Sequence, residues 1–153
     1  MDNIPIPNNV RNNFSIVDNL DNLDNINNYI DQSNNHLTHY DVALIVYKVF
    51  KQYYRYIGNN NWEYFDKIEN IWKKDNKKKK LKFDIKTIIA DLFINRALYW
   101  YNASLNVCDI NTENHVNFMA QKMIRASNKI KNDIFVSTVI KEATAFFDIY
   151  NNE

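Results

Sequence analysis

Glycine and proline set the first constraint on this chain by their scarcity. Glycine occurs once, at Gly58, and proline twice, at Pro5 and Pro7, so beyond the first few residues almost nothing punctuates a helix. The same scarcity removes phosphate-cradling glycine loops, which need several glycines for tight turns and close backbone approach. With 153 residues, 46% of them hydrophobic and 14% aromatic, the chain has the material for one sizeable core. The fold class that follows is mostly α (α+β).

The apolar periodicity predicts about four amphipathic helices over residues 37–153. Thr38 reads as the N-cap of a helix of about 16 residues with Val42, Val46, Val49, Phe50 and Tyr53 on its inner side. Leu81, Ile85, Ile88, Ile89, Leu92, Phe93 and Trp100 mark the longest helix. Val116, Met119, Met123, Ile124 and Ile130 mark the next, capped from Asn111, Thr112 or Asn114. Asn132 or Asp133 caps the last, whose stripe is Val136, Val139, Ile140, Ala143 and Phe147. Between the first two helices, Gly58 and Asn59–Asn61 suit a hairpin turn, and Lys67–Asn70 a second one. A small antiparallel β meander over about 54–75 is expected. It must pack on the helices, through Trp62, Tyr64 and Trp72 against Leu81–Trp100, because so small a sheet does not stand alone in water.

Residues 1–36 read as an Asn/Asp-rich arm. Val17, Leu20, Leu23 and Ile26 recur every three residues and still cover one broad helical face, extended by Tyr29 and Ile30. Aspartate and asparagine are poor helix formers, so the arm is expected to order only by docking. Leu20, Leu23 and Ile26, with the tyrosines Tyr53, Tyr54 and Tyr56, are the candidate partner interface, tyrosine being enriched at such surfaces. Residues 1–41 hold six acids against Arg11, a balance of −5 within a net charge of +1, which sets an acidic arm beside a mildly basic body. Asparagine fills 27 positions, the bias of an AT-rich genome.

Cys108 is the single cysteine, so no intramolecular disulfide forms and a reducing compartment is expected. The N-terminus lacks the basic and apolar regions of a signal peptide, and no apolar run approaches the ~18 residues of a membrane span. The expectation is a soluble, intracellular protein without membrane insertion.

Catalytic signatures are weak throughout. His36, His39 and Asp41 lie close in sequence, but a zinc site would need Cys108 or His115 to complete it. Cys108 and His115 lack a residue to orient them as a nucleophile pair, and no Asp-x-Asp pair offers converging carboxylates. No catalytic residue, metal or cofactor is expected. The strongest candidate is the lysine run Lys73, Lys74, Lys77, Lys78, Lys79 and Lys80, interrupted by Asp75 and Asn76. Lysine is a mobile point charge suited to phosphate attraction, and Tyr64 in the adjacent meander is placed to stack on single-stranded bases.

One resemblance adds a context. Asp41–Tyr47, Trp62-Glu-Tyr-Phe-Asp66, Trp72-Lys-Lys-Asp75, Leu81, and Ile140-Lys-Glu142 through Phe146-Phe147-Asp148 follow one another in a characteristic order. This order resembles the helical linker domain between primase and ring helicase in the poxvirus-like primase-helicases of nucleocytoplasmic large DNA viruses. It spans all of the body and none of the arm. Neither the primase's metal-binding acids nor an ATPase phosphate loop accompanies it, so a stand-alone copy without either engine is expected. The resemblance implies a non-catalytic accessory in viral genome replication, acting by weak nucleic-acid or helicase-complex binding in the host cytoplasm or viral factory. The alternative is a minor virion structural or scaffold protein. Its partners are then other viral proteins, of the replication complex or the capsid, and possible single-stranded nucleic acid.

Overall fold

The computed structural model describes residues 20–33 and 36–151, with side chains of the first helix from Leu23 onward. It is mostly helical with one three-stranded antiparallel sheet. Helix α1, Leu20–Gln32, turns Ile26 and Ile30 fully into the core, with Leu23 packed beside them. Helix α2, His39–Phe50, starts in a reciprocal capping box. Thr38 Oγ1 accepts from the Asp41 N–H at 3.1 Å, and Asp41 Oδ2 from the Thr38 N–H at 3.3 Å.

Strands β1 (Tyr54–Tyr56), β2 (Trp62–Asp66) and β3 (Ile71–Lys74) form the meander in that order. The first turn uses left-handed backbone at Gly58, Asn59 and Asn60, with φ of 84°, 51° and 59°. In the second, Asp66 Oδ1 accepts from the Ile68 and Glu69 N–H groups at 2.9 and 3.1 Å, and Asn70 takes φ 56°.

The register pairs Tyr54 with Tyr64 and Tyr56 with Trp62, so these four share one face of the sheet. That face meets the core: Trp62 is 1% exposed and its ring lies 5.2 Å from Phe147. Tyr54 lies 5.5 Å from Phe50, and its hydroxyl donates to Asp84 Oδ2 at 2.5 Å. Burial and the adjacent carboxylate push the Tyr54 phenol far above its ordinary pKa.

The expected packing through Trp62, Tyr64 and Trp72 against Leu81–Trp100 is therefore corrected. Trp62 packs on the last helix, and Tyr54 reaches the long one. Trp72 pairs with Phe65 on the opposite face, because side chains alternate along a strand. There Trp72 meets Phe65 at 5.3 Å and lies under the Arg55 guanidinium at 4.3 Å, with Glu63 bonded to Arg55 at 2.6 Å.

The lysine run leads into α3 (Lys79–Asp84), a π-helical stretch (Ile85–Ile89) and α4 (Ala90–Ser104), continuous in the chain. Helix α5, Ile110–Ile130, lies along α4, where Ser127 Oγ reaches the Ala90 carbonyl at 3.1 Å. Its cap is Asp109, which accepts from the Thr112 N–H at 3.1 Å, and not Asn111, Thr112 or Asn114. Ile124 is exposed, a second correction: it stands one residue, about 100° of turn, from the buried Met123. Helix α6, Asp133–Phe147, is capped by Asn132 and packs on α2. All five residues of its expected stripe are buried. Among the described residues no helix is long and apolar enough to cross a membrane.

Candidate nucleic-acid interface

At the end of β3 the chain makes the turn that organises the lysines. Asp75 is buried, and its backbone N–H bonds to the Trp62 carbonyl at 2.9 Å, tying the turn to β2. Its carboxylate accepts from the Lys80 and Leu81 N–H groups at 3.0 and 2.9 Å. It thus satisfies the open N–H groups at the start of α3 and occupies the place where a helix would otherwise attract an anion. Lys77 and Lys78 both take left-handed backbone, φ 55° and 57°, a strained conformation for a side-chain-bearing residue.

The consequence is a groove of about 600 Å³ between this turn and the Asn59–Asn61 turn. Lys74, Lys77, Lys78, Lys79 and Lys82 line it, together with the asparagines. Asp75 is the acid among its lining residues, and its oxygens are already committed to backbone donors. Burial, with Lys82 and Lys141 close by, holds the Lys78 ammonium below its ordinary pKa. A bound anion would relieve that crowding.

Two of the six expected lysines lie elsewhere. Lys73 pairs with Asp66 at 2.7 Å and Glu69 at 3.0 Å, beside the second turn, and these acceptors hold its pKa above the ordinary value. Strand alternation explains the split, since Lys73 and Lys74 point to opposite faces. Lys80 lies over the Tyr64 ring at 5.4 Å and 3.7 Å from Asp84 Oδ2. Tyr64 is half-buried against the core with Lys80 above it, so it is not an open stacking platform. Lys82 joins the groove unforeseen. Its spacing from Lys78 and Lys79 on a helical start was the available signal.

The expected partner interface dissolves into the fold. Ile26 and Tyr54 are 3% and 2% exposed, and Leu23, Tyr53 and Tyr56 pack half-buried against the same core. Leu20 lies in α1 with its side chain outside the described residues, as does all of the arm before it. The arm helix is held by contacts that the sequence did not announce. Arg96 donates twice to Asp31, at 2.8 and 2.5 Å, and Trp100 Nε1 donates to the same carboxylate at 3.0 Å. Lys122, buried, donates to the Asp31 carbonyl at 3.0 Å in the last turn of α1, where a cation is favoured.

His39 meets Phe135 in a tilted contact at 4.6 Å and His115 meets Trp100 at 5.9 Å, while Cys108 is exposed ahead of α5. Among the described residues no three His, Cys, Asp or Glu side chains gather as a metal site. No protein-family model matches the chain, and no curated protein is significantly similar to it.

Proposed function

We propose that the protein is a non-catalytic module that binds single-stranded nucleic acid by its phosphates, through the groove between the two turns. The observation that carries this reading is the convergence of five lysines on a groove whose acid is turned to the backbone. Lysines attract a polyanion by counterion release, and they position a backbone without reading bases. The order of aromatic anchors that resembles the viral primase-helicase linker supports an accessory role in genome replication of a large DNA virus, with replication proteins as partners.

Fluorescence anisotropy with a labelled single-stranded oligonucleotide at low salt tests the reading. Weak, sequence-insensitive binding is expected, abolished by changing Lys74, Lys77 and Lys79 together to glutamine. A scaffold role in the virus particle is the second reading. It is favoured by the exposed apolar side chains Leu105 and Ile110, which flank the connection between α4 and α5. Failure to bind at low salt turns the choice to it.

A further inference from the structure

A cavity of about 240 Å³ lies between the end of α1, the connection into α2 and the C-terminal half of α5. Ser33, His36 and Leu37 line one side, and Lys122, Arg125 and Lys129 the other. The three cations stand at positions i, i+3 and i+7 of α5, so one helix face carries them all. No carboxylate is among the described residues that line the cavity.

We propose that this cavity is a phosphate site, where Lys122, Arg125 and Lys129 hold a free phosphate ion or the phosphate of a small phosphomonoester. Three observations favour such an anion. First, both ammonium groups are bonded to neutral oxygens: Lys122 Nζ donates to the Asp31 carbonyl at 3.0 Å and Lys129 Nζ to the Leu37 carbonyl at 3.1 Å. An ammonium has three N–H groups, and a carbonyl takes one of them without cancelling the charge. Lys129 also lies over the Phe135 ring at 5.3 Å, which again leaves the charge in place. Second, Lys122 is 7% exposed, and burial holds its ammonium below the ordinary pKa although Asp31 and Asp41 oppose that shift. A buried charge is costly without a counter-ion, and an anion in the cavity would offset that cost. Third, Arg125 makes no hydrogen bond, ion pair or ring contact among the described residues. Its planar fork is open to the bidentate contact that suits a phosphate.

The nearby acids do not take the anion's place. Asp31 is engaged by Arg96 and the Trp100 indole, and Asp41 accepts from the Thr38 N–H at the start of α2. Setting Arg96 against Asp31 leaves Lys122, Arg125 and Lys129 against Asp41. A phosphate group, with a charge of about −1.5 to −2 at neutral pH, balances that excess. The carbonyls ending α1 are already covered, Ile30 by the Ser33 N–H and Oγ and Asp31 by Lys122.

The cavity shares no lining residue with the lysine groove, so the site does not depend on it. Titration calorimetry of the full chain with inorganic phosphate and with glycerol 3-phosphate tests it, against chloride at matched ionic strength. Phosphate should bind saturably at millimolar concentration and raise the thermal midpoint beyond the chloride control. Arg125→Gln and Lys129→Gln, both at exposed positions, should each weaken it about tenfold, the low end for a hydrogen bond to a charged group. Arg125→Lys keeps the charge but loses the fork, and its affinity should fall between those of wild type and Arg125→Gln. The double variant Lys77→Gln/Lys79→Gln should change phosphate binding less than about twofold, which separates this site from the groove. Because Lys122 and Lys129 tie α5 to both ends of the α1–α2 connection, phosphate should also slow hydrogen exchange in α1. Tighter binding of glycerol 3-phosphate would assign the site to organic phosphates, and equal or weaker binding to the phosphate ion itself. No saturable binding at millimolar phosphate, an equal midpoint shift in chloride, or unchanged affinity in Arg125→Gln would each overturn the proposal.

Discussion

Replacing Asp31 by alanine tests whether α1 belongs to the domain. The carboxylate receives both Arg96 donors and the Trp100 indole, and the two charged side chains are 19% and 14% exposed. Removing one partner of a fully buried ion pair costs about 3–5 kcal/mol. Here water reaches the edge of the pair, so a loss of about 2–3 kcal/mol is expected, including the stranded indole donor. Arg96→Ala should cost at least as much, because its guanidinium also lies over Tyr99 at 4.0 Å and Trp100 at 5.3 Å. The two effects should fall short of additivity by about 1.5–2 kcal/mol in a double-mutant cycle. Urea unfolding followed by tryptophan fluorescence supplies these values. Hydrogen exchange adds a local reading, since a 13-residue helix rich in aspartate and asparagine does not persist undocked. In Asp31→Ala the amides of α1 should therefore lose protection before those of α5. Coupling below about 0.3 kcal/mol, with α1 protected as before, would refute the staple.

Trp62→Ala should cost about 3–5 kcal/mol, the range for a core aromatic, and Trp72→Ala about 1–2, since it lies half-buried on the outer face; urea unfolding ranks them. Trp62→Phe should cost far less than Trp62→Ala, because Trp62 Nε1 is buried without a hydrogen-bond partner. The raised Tyr54 pKa gives a pH dependence. The unfolded phenol ionises near pH 10 and the folded one does not, so its contribution is complete below pH 10 and declines above it. The slope is about 1.4 kcal/mol per pH unit. Tyr54→Phe should remove that slope from alkaline unfolding curves, and an unchanged slope would contradict the assignment.

Local signals carried most of the helices and the meander. Thr38 and Asn132 cap where a side-chain oxygen ahead of an apolar stripe announces it, and Gly58 with its asparagines makes the turn their backbone freedom allows. The failures are non-local. Asp31 and Arg96 are 65 residues apart, and neither position marks the other. Trp62 and Trp72 read alike, yet strand alternation sends them to opposite faces. The lysine run reads as one basic segment, but a strand end and two left-handed residues divide it, leaving Lys73 with acids and drawing Lys82 in. Asp75 in its midst reads as a partial neutraliser of lysine, whereas it serves the backbone of α3.

The groove is tested most directly by the salt dependence of single-strand binding in three proteins: wild type, Lys77→Gln/Lys79→Gln, and Lys73→Gln. Three or four phosphates engaged in the groove predict a wild-type slope of log affinity on log salt of about −2 to −3, at roughly 0.7 per phosphate. Losing two groove lysines should flatten it by about 1.4, while Lys73→Gln, whose ammonium is held by Asp66 and Glu69, should leave it unchanged. Absence of binding at low salt, or a Lys73→Gln slope as flat as that of the groove pair, would contradict the account.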